Sequence, residues 1–263
     1  MRADQLLVER GLAASRSQAQ RLIASGVSWR IGPGPFQAVK KNGDELPAQA
    51  ELQLDDDAEA RYVSRGGLKL EGALRATGLS VTGARCLDVG QSTGGFTDAL
   101  LQSGARSVVG LDVGHGQLHP RLRAHPQVKS LEGLNARDLQ PLDERLDAGQ
   151  GFDLVVGDVS FISLTLVLPA LVSQIKPGGR LLMLVKPQFE LQPGQLGKGG
   201  IVKDARLHEQ VRQRIEQACQ LLGLIRLEWL SSAITGGDGN REFFIAAMRP
   251  DSGTNRHEHK TEL

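Results

Sequence analysis

Residues 86–101 read CLDVGQSTGGFTDALL, an apolar stretch, then a turn of Gly, Ser and Thr, then a helix-forming stretch. Glycines in such a turn let a ligand approach the backbone closely. Small residues at a helix start favour a polar or anionic group. Asp88 adds a negative charge that suits a cationic part of the ligand. The next strand candidate ends in Asp112, and an acid there accepts hydrogen bonds from ribose hydroxyls. Taken alone, the turn specifies a nucleotide-like ligand and no reaction. A ligand-free βα turn is the plain alternative.

Working outward, apolar strand candidates fall at 107–112, 152–157, 180–186, 225–231 and 242–248, with 85–90 holding the turn itself and a weaker one at 127–131. Helical patterns lie near 67–77, 95–103, 160–175 and 203–222. Strand–helix alternation of this kind predicts an α/β fold with a doubly wound sheet. EWLSSAI and EFFIAAM, separated by Gly236, Gly237 and Gly239, read as an antiparallel hairpin at the sheet edge.

The first 58 residues differ in character and predict a small α+β domain. Leu6, Leu7 and Arg10 belong to a short helix ending at Gly11, and Ser15 with Gln18 makes a capping box for a second helix. Charge is uneven. Residues 1–41 hold seven Lys/Arg against two Asp/Glu, and residues 42–59 hold seven Asp/Glu with no Lys/Arg. The expected organisation is 1–58, a linker 59–65, a catalytic domain 66–249 and a disordered tail 250–263.

The net charge of +1 does not announce a nucleic-acid binder. Cys86 and Cys219 lie in apolar segments, which argues against a disulfide framework and fits a reducing cytoplasm. No stretch of about 18 apolar residues spans a membrane, and MRADQLLVERG lacks a signal peptide's apolar run. His115 and His119 have no third ligand nearby, so no metal is expected.

The spacing Asp88-x-Gly90-x-x-x-Gly94-Gly95 departs from G-x-G-x-x-G and resembles the first motif of class I (Rossmann-like) methyltransferases. That resemblance implies S-adenosylmethionine as cofactor. It is then held by Asp88, Gly90, Ser92, Thr93, Gly94, Gly95, Phe96, Asp112, Asn135 and Asp158. Gln91 stands where a smaller residue is usual, placed to crowd the cofactor.

Asp158 and Lys186 end strand candidates, Glu242 opens the last one, and Lys69 lies on the helix before the first. Ligands of open α/β sheets bind beyond the carboxyl ends of the strands. The four resemble the Lys–Asp–Lys–Glu tetrad of FtsJ-type ribose 2′-O-methyltransferases, as does Ser64–Leu70 with its S-R-x-x-x-K-L pattern. STGGFTDALLQSGA, GDVSFISL, KPQFE, GKGGIVKD and GNREFF are similar to segments of the TlyA family, over residues 2–248. That family joins an S4 domain to an FtsJ-like domain. The resemblance implies 2′-O-methylation of cytidine in ribosomal RNA, with the ribosome or its RNA as partner.

A protonated ribose hydroxyl is a poor nucleophile, so the site must orient it and help its proton leave. Close carboxylates hold a lysine cationic. Lys186 then stabilises a developing alkoxide, with Asp158 and Glu242 orienting the lysines or the hydroxyl. Lys186 as a base after losing its proton is the alternative.

Residues 4–26 resemble the S4 RNA-binding motif, which implies phosphate contacts from Arg16 and Arg21. Arg2, Lys40, Lys41, Arg65 and Lys198 complete the expected RNA-binding set, and Phe161 and Phe189 are candidates to stack on a base. Competing functions are a base methyltransferase and a non-catalytic assembly factor; haemolysis finds no amphipathic or spanning segment. Monomer and homodimer both remain open.

Overall fold

The computed structural model describes residues 1–13, 15–54, 61–147, 149 and 151–251. Residues 55–60, which include the end of the acidic stretch and the start of the expected linker, lie outside them. So does the tail from residue 252, with its His257-Glu258-His259 run. The chain divides into two units, Met1–Leu68 and the remainder from Lys69.

In the first unit, α1 (Ala3–Glu9) and α2 (Arg16–Ser25) accompany a three-stranded antiparallel sheet. Its strands are β1 (Val27–Arg30), β2 (Gln37–Ala38) and β3 (Glu51–Leu54), in the order β2-β1-β3. Gly11 takes φ +70°, the left-handed conformation that ends α1. Ser15 Oγ accepts from the Gln18 amide at 3.3 Å, the expected N-cap of α2. The Gln18 side chain itself donates to the Tyr62 carbonyl. Leu6, Leu7, Leu22 and Val27 fill the core, each buried side chain contributing about 1.5–3 kcal/mol.

The second unit begins within α3 (Gly66–Thr77) and builds one seven-stranded sheet. Its strands are β4 (Arg85–Val89), β5 (Ser107–Asp112), β6 (Val128–Glu132), β7 (Phe152–Gly157), β8 (Ile175–Val185), β9 (Ile225–Ser231) and β10 (Phe243–Met248). They run in the order β6-β5-β4-β7-β8-β10-β9. The first five are mutually parallel, and β10 inserts antiparallel between β8 and β9. This is the expected doubly wound, Rossmann-like sheet, closed at one edge by the expected hairpin. Strand order reverses between β4 and β7, so the ends of those strands open a crevice.

Helices flank the sheet: α4 (Gly95–Gln102), α5 (Pro120–Arg123), α6 (Leu168–Val172), α7 (Pro187–Glu190) and α8 (Ala205–Leu221). Val211, Ile215 and Cys219 of α8 recur one helical turn apart and join the core around Val155, Leu181 and Ile245. Cys86 and Cys219 are both free and buried, and burial pushes each thiol up to about 12.

One helix differs from the reading of sequence. The helical pattern at 160–175 contains an α-helix only over Leu168–Val172. Phe161 takes φ +62°, which no α-helix accepts, and Pro169 belongs in a first turn. Residues 158–163 form a loop at the mouth of the crevice instead.

Candidate active site

The crevice is a cleft of about 470 Å³, within the range of small-molecule sites. Gly90, Ser92, Asp112, Asn135 and Asp158 line it, five of the expected cofactor residues. Gly90 takes φ +78°, and a Cβ there would stand 2.6 Å from the Asp158 carbonyl oxygen. Only glycine permits that approach of the β4 turn to the segment after β7. Asp158 N–H donates to the Val89 carbonyl at 3.0 Å, fastening the two segments.

Asp112 holds the turn from the neighbouring strand. Its Oδ2 accepts from Ser92 N–H at 2.8 Å and its Oδ1 from Gly114 N–H at 2.7 Å. Ser92 takes φ +47° and donates its hydroxyl to Gln117 at 3.0 Å. Asn135 accepts from Arg137 N–H, which caps the short turn below it.

Other expected cofactor residues stand outside the lining. Phe96 is buried, its ring 6.1 Å from that of Phe244. At Gly94 an added Cβ would meet Leu122 at 2.4 Å. Thr93 accepts a backbone hydrogen bond from His119, and Gly95 opens α4. These residues shape the turn and the helix start. Asp88 is buried in β4 behind the lining, and burial pushes its carboxyl up to about 7, with its Oδ1 unpartnered among the described residues. Gln91 does not crowd the cleft: its side chain turns inward over Gly110 and is buried.

Lys69, Asp158, Lys186 and Glu242 meet at the cleft. Lys186 Nζ lies 2.5 Å from Asp158 Oδ1. Lys69 Nζ lies 2.6 Å from Glu242 Oε2 and 3.8 Å from Asp158 Oδ2. Two cations and two carboxylates thus balance in a half-enclosed space. Burial raises the Glu242 carboxyl above its ordinary value, against the pull of Lys69. Gly236 makes room for it, since a Cβ there would stand 2.7 Å from Glu242 Oε1.

Three contributors were not read from sequence. Ser160 accepts from Lys186 Nζ at 2.7 Å. Buried Glu190 accepts from the Ser163 hydroxyl and the Leu164 amide, each at 2.6 Å, pinning the loop after Asp158. Gln117 lines the cleft from an irregular stretch with no periodicity to mark it. GDVSF and KPQFE were the available signals for the first two. Phe161 is 91% exposed on the pinned loop, its ring 5.1 Å from that of Phe189.

In the first unit, buried Asp4 gathers Arg2 and Arg16. Arg2 Nε and Nη2 donate to its two oxygens at 3.0 Å, and Arg16 Nη2 donates at 3.1 Å. Both arginines keep exposed faces. Arg21 donates to the Ser17 carbonyl. The Lys40 and Lys41 side chains are exposed, with their backbone amides bound to Asp44. Arg65 is half-buried, and Lys198 is exposed on the loop after α7. Among the described residues, no three His, Cys, Asp or Glu side chains gather as a metal site. No helix there is long and apolar enough to cross a membrane.

The family described as FtsJ-like methyltransferase matches residues 62–249. A 16S/23S rRNA (cytidine-2′-O)-methyltransferase TlyA of Mycobacterium tuberculosis is 45% identical, over 93% of this chain and 88% of that protein. A putative rRNA methyltransferase, YqxC, of Bacillus subtilis is 41% identical, over 96% and 87%. A solved structure described as a putative hemolysin from Streptococcus thermophilus is 40% identical, with TM-score 0.72, over 96% of this chain and 89% of that one.

Proposed function

This chain belongs to the FtsJ-like methyltransferase family, and from that premise we propose that it methylates the 2′-oxygen of a cytidine ribose in ribosomal RNA, using S-adenosylmethionine. The observation that carries the reading is the cluster of Lys69, Asp158, Lys186 and Glu242 at the cleft. The names of the Mycobacterium and Bacillus relatives supply the RNA substrate. With ribosomal RNA as substrate, the working compartment is the cytoplasm.

The residues present fit the cofactor. Gly90 lets the β4 turn pack against Asp158, and a Cβ there would push apart the two segments that line the cleft. Asp112 stands where ribose hydroxyls donate. Asp112 in the lining and Asp88 beneath it present carboxylates to the cleft, which suits a sulfonium, while Asp158 is matched by the two lysines. Bound there, S-adenosylmethionine supplies an electrophilic methyl group. Gly90, Ser92, Asp112 and Asn135 would hold it, with Gly94, Gly95, Thr93 and Phe96 shaping the turn.

Lys186 carries the central role toward the acceptor. Its ammonium is aimed by Asp158 and Ser160. A fixed cation beside a developing alkoxide stabilises negative charge without reorganising at the moment of reaction. Asp158 binds both lysines and so sets the distance between them. Glu242 secures Lys69. Phe161 offers an exposed ring to a base of the RNA.

The first 58 residues form an S4-like RNA-binding domain in this reading, joined by residues 59–65 to the methyltransferase domain. Arg2, Arg16, Arg21, Lys40 and Lys41 contact phosphates there, joined by Arg65 of the linker and Lys198 of the methyltransferase domain.

The test is to incubate the protein and its Lys186→Ala variant with labelled S-adenosylmethionine and ribosomal subunits lacking the modification. Label is expected on a ribose 2′-oxygen with the parent alone. Label on a base, equal label from the variant, or none from the parent refutes the reading.

A further inference from the structure

Asp88 of β4, Gly110 of β5 and Ser130 of β6 stand side by side across three parallel strands. The middle position carries no side chain, which leaves a trough over the row. Gln91 fills it: a Cβ on Gly110 would fall 2.0 Å from Gln91 Cδ. From there Gln91 reaches across to Ser130 on one side and Thr97 on the other. Ser130 Oγ donates to Gln91 Oε1 at 2.7 Å. Gln91 Nε2 donates to Thr97 Oγ1 at 2.9 Å. Thr97 Oγ1 donates to Asp88 Oδ2 at 2.7 Å.

The direction of these bonds follows from the groups. An amide nitrogen only donates and an amide oxygen only accepts. Because Gln91 gives a proton to Thr97, the single hydroxyl proton of Thr97 points to Asp88. With the Gln91 amide turned the other way, its oxygen would take that proton. Asp88 would then lose a donor in a fully buried position, an unfavourable arrangement for a carboxylate.

We propose that Gln91 is a positioning residue which, through Thr97 and Ser130, keeps Asp88 ionised beneath the cleft for a positively charged cofactor. The inference rests on the cofactor reading above. The relay opposes burial, the main influence that raises the Asp88 carboxyl. Other charged or titratable groups bearing on Asp88 are Asp158 after β7 and Asp112 at the end of β5, both of which also raise it. Cys86, on the same strand, is held neutral by burial. Hydrogen bonding from Thr97 pulls the other way, and Gln91 sets the direction of the hydroxyl bond. The inward turn of Gln91 thus gives a bulky residue in the glycine-rich turn a use in cofactor binding.

The test measures S-adenosylmethionine binding by calorimetry from about pH 5.5 to about pH 8.5 for the parent, Thr97→Val, Thr97→Ser and Gln91→Met. The parent's affinity falls as the pH drops through about 7, where Asp88 gains its proton. Thr97→Val removes the donor and raises that midpoint by about one unit, which lowers affinity at about pH 6 roughly tenfold and changes it little at about pH 8.5. Thr97→Ser keeps the hydroxyl and the parent midpoint. Gln91→Met frees the Thr97 hydroxyl to rotate and shifts the midpoint the same way by less. Thermal melts without ligand establish that each variant is folded. Should Gln91→Met fail to fold, Gly110→Ala displaces the same side chain by another route and is expected to shift the midpoint likewise.

A merely structural role would lower affinity alike at every pH, with an unmoved midpoint, and that result overturns the proposal. A parent midpoint in Gln91→Met overturns it too, even where Thr97→Val shifts. No binding by the parent at any pH overturns the cofactor reading and this inference with it.

Discussion

Replacing Asp88 with asparagine separates the cost of a buried charge from its use. The Asp88 carboxyl is fully buried, and burial carries it from 3.8 to about 7. A carboxyl with a higher pKa folded than unfolded binds its proton more tightly in the folded chain. Folding gains fully from that proton below the unfolded value, and the gain is lost as the pH rises through about 7. At about 1.4 kcal/mol per unit, the rise from 3.8 to about 7 withholds roughly 4 kcal/mol once the pH exceeds both. Asp88→Asn removes that burden. It also leaves an amide nitrogen at the position of Oδ1, which has no partner among the described residues, at about 1–3 kcal/mol. The variant should therefore exceed the parent in stability by about 1–3 kcal/mol near pH 8. Urea unfolding without ligand, run near pH 5 and near pH 8, measures the difference. Two units of titration lie in that window, so the parent loses roughly 3 kcal/mol against the variant across it. The variant should also lose S-adenosylmethionine binding near pH 8. A parent–variant difference that is flat with pH would refute the reasoning, because Asp88 would not then be titrating near neutrality.

Gly90→Ala should cost about 1–2 kcal/mol for φ +78° alone and weaken S-adenosylmethionine binding by displacing Asp158; a calorimetric titration matching the parent contradicts this. Glu190→Ala leaves the Leu164 amide buried without its carboxylate and should lower stability by about 2–3 kcal/mol. Its methyl transfer should fall while cofactor affinity holds, and an affinity loss equal to the rate loss would show that the loop is not its target. Arg16→Ala combined with Arg21→Ala should weaken RNA binding in a filter assay, more so at low salt, and leave cofactor affinity intact. A changed cofactor affinity would contradict the assignment of these arginines to RNA and not to the cofactor.

Much of the fold was legible because its signals are local. Alternation of apolar strands with amphipathic helices marks each layer within a short window, and six of the seven sheet strands were found within a residue or two. The miss at 160–175 has a physical source. An apolar, helix-like pattern there is overridden by Phe161 in a left-handed conformation and by Glu190, a residue distant in sequence that takes the Ser163 and Leu164 donors. β8 starts earlier than its apolar run because Lys176-Pro177-Gly178-Gly179 is drawn into the edge of the strand, where the pairing with β7 shifts register.

Sequence by itself determined the chemistry available: which residues are acids, lysines and glycines, and that they stand at strand ends where a doubly wound sheet gathers ligands. Resemblance of motifs added the family. Only tertiary structure decided which of those residues meet. The distances among Lys69, Asp158, Lys186 and Glu242 depend on α3, β7, β8 and β10 lying beside one another, and no local pattern encodes that. The same holds for Gln91, which from sequence alone reads as an obstacle to the cofactor. Its direction is set by the empty space over Gly110 and by hydroxyls on two other elements, and these become its neighbours only when the strands pair.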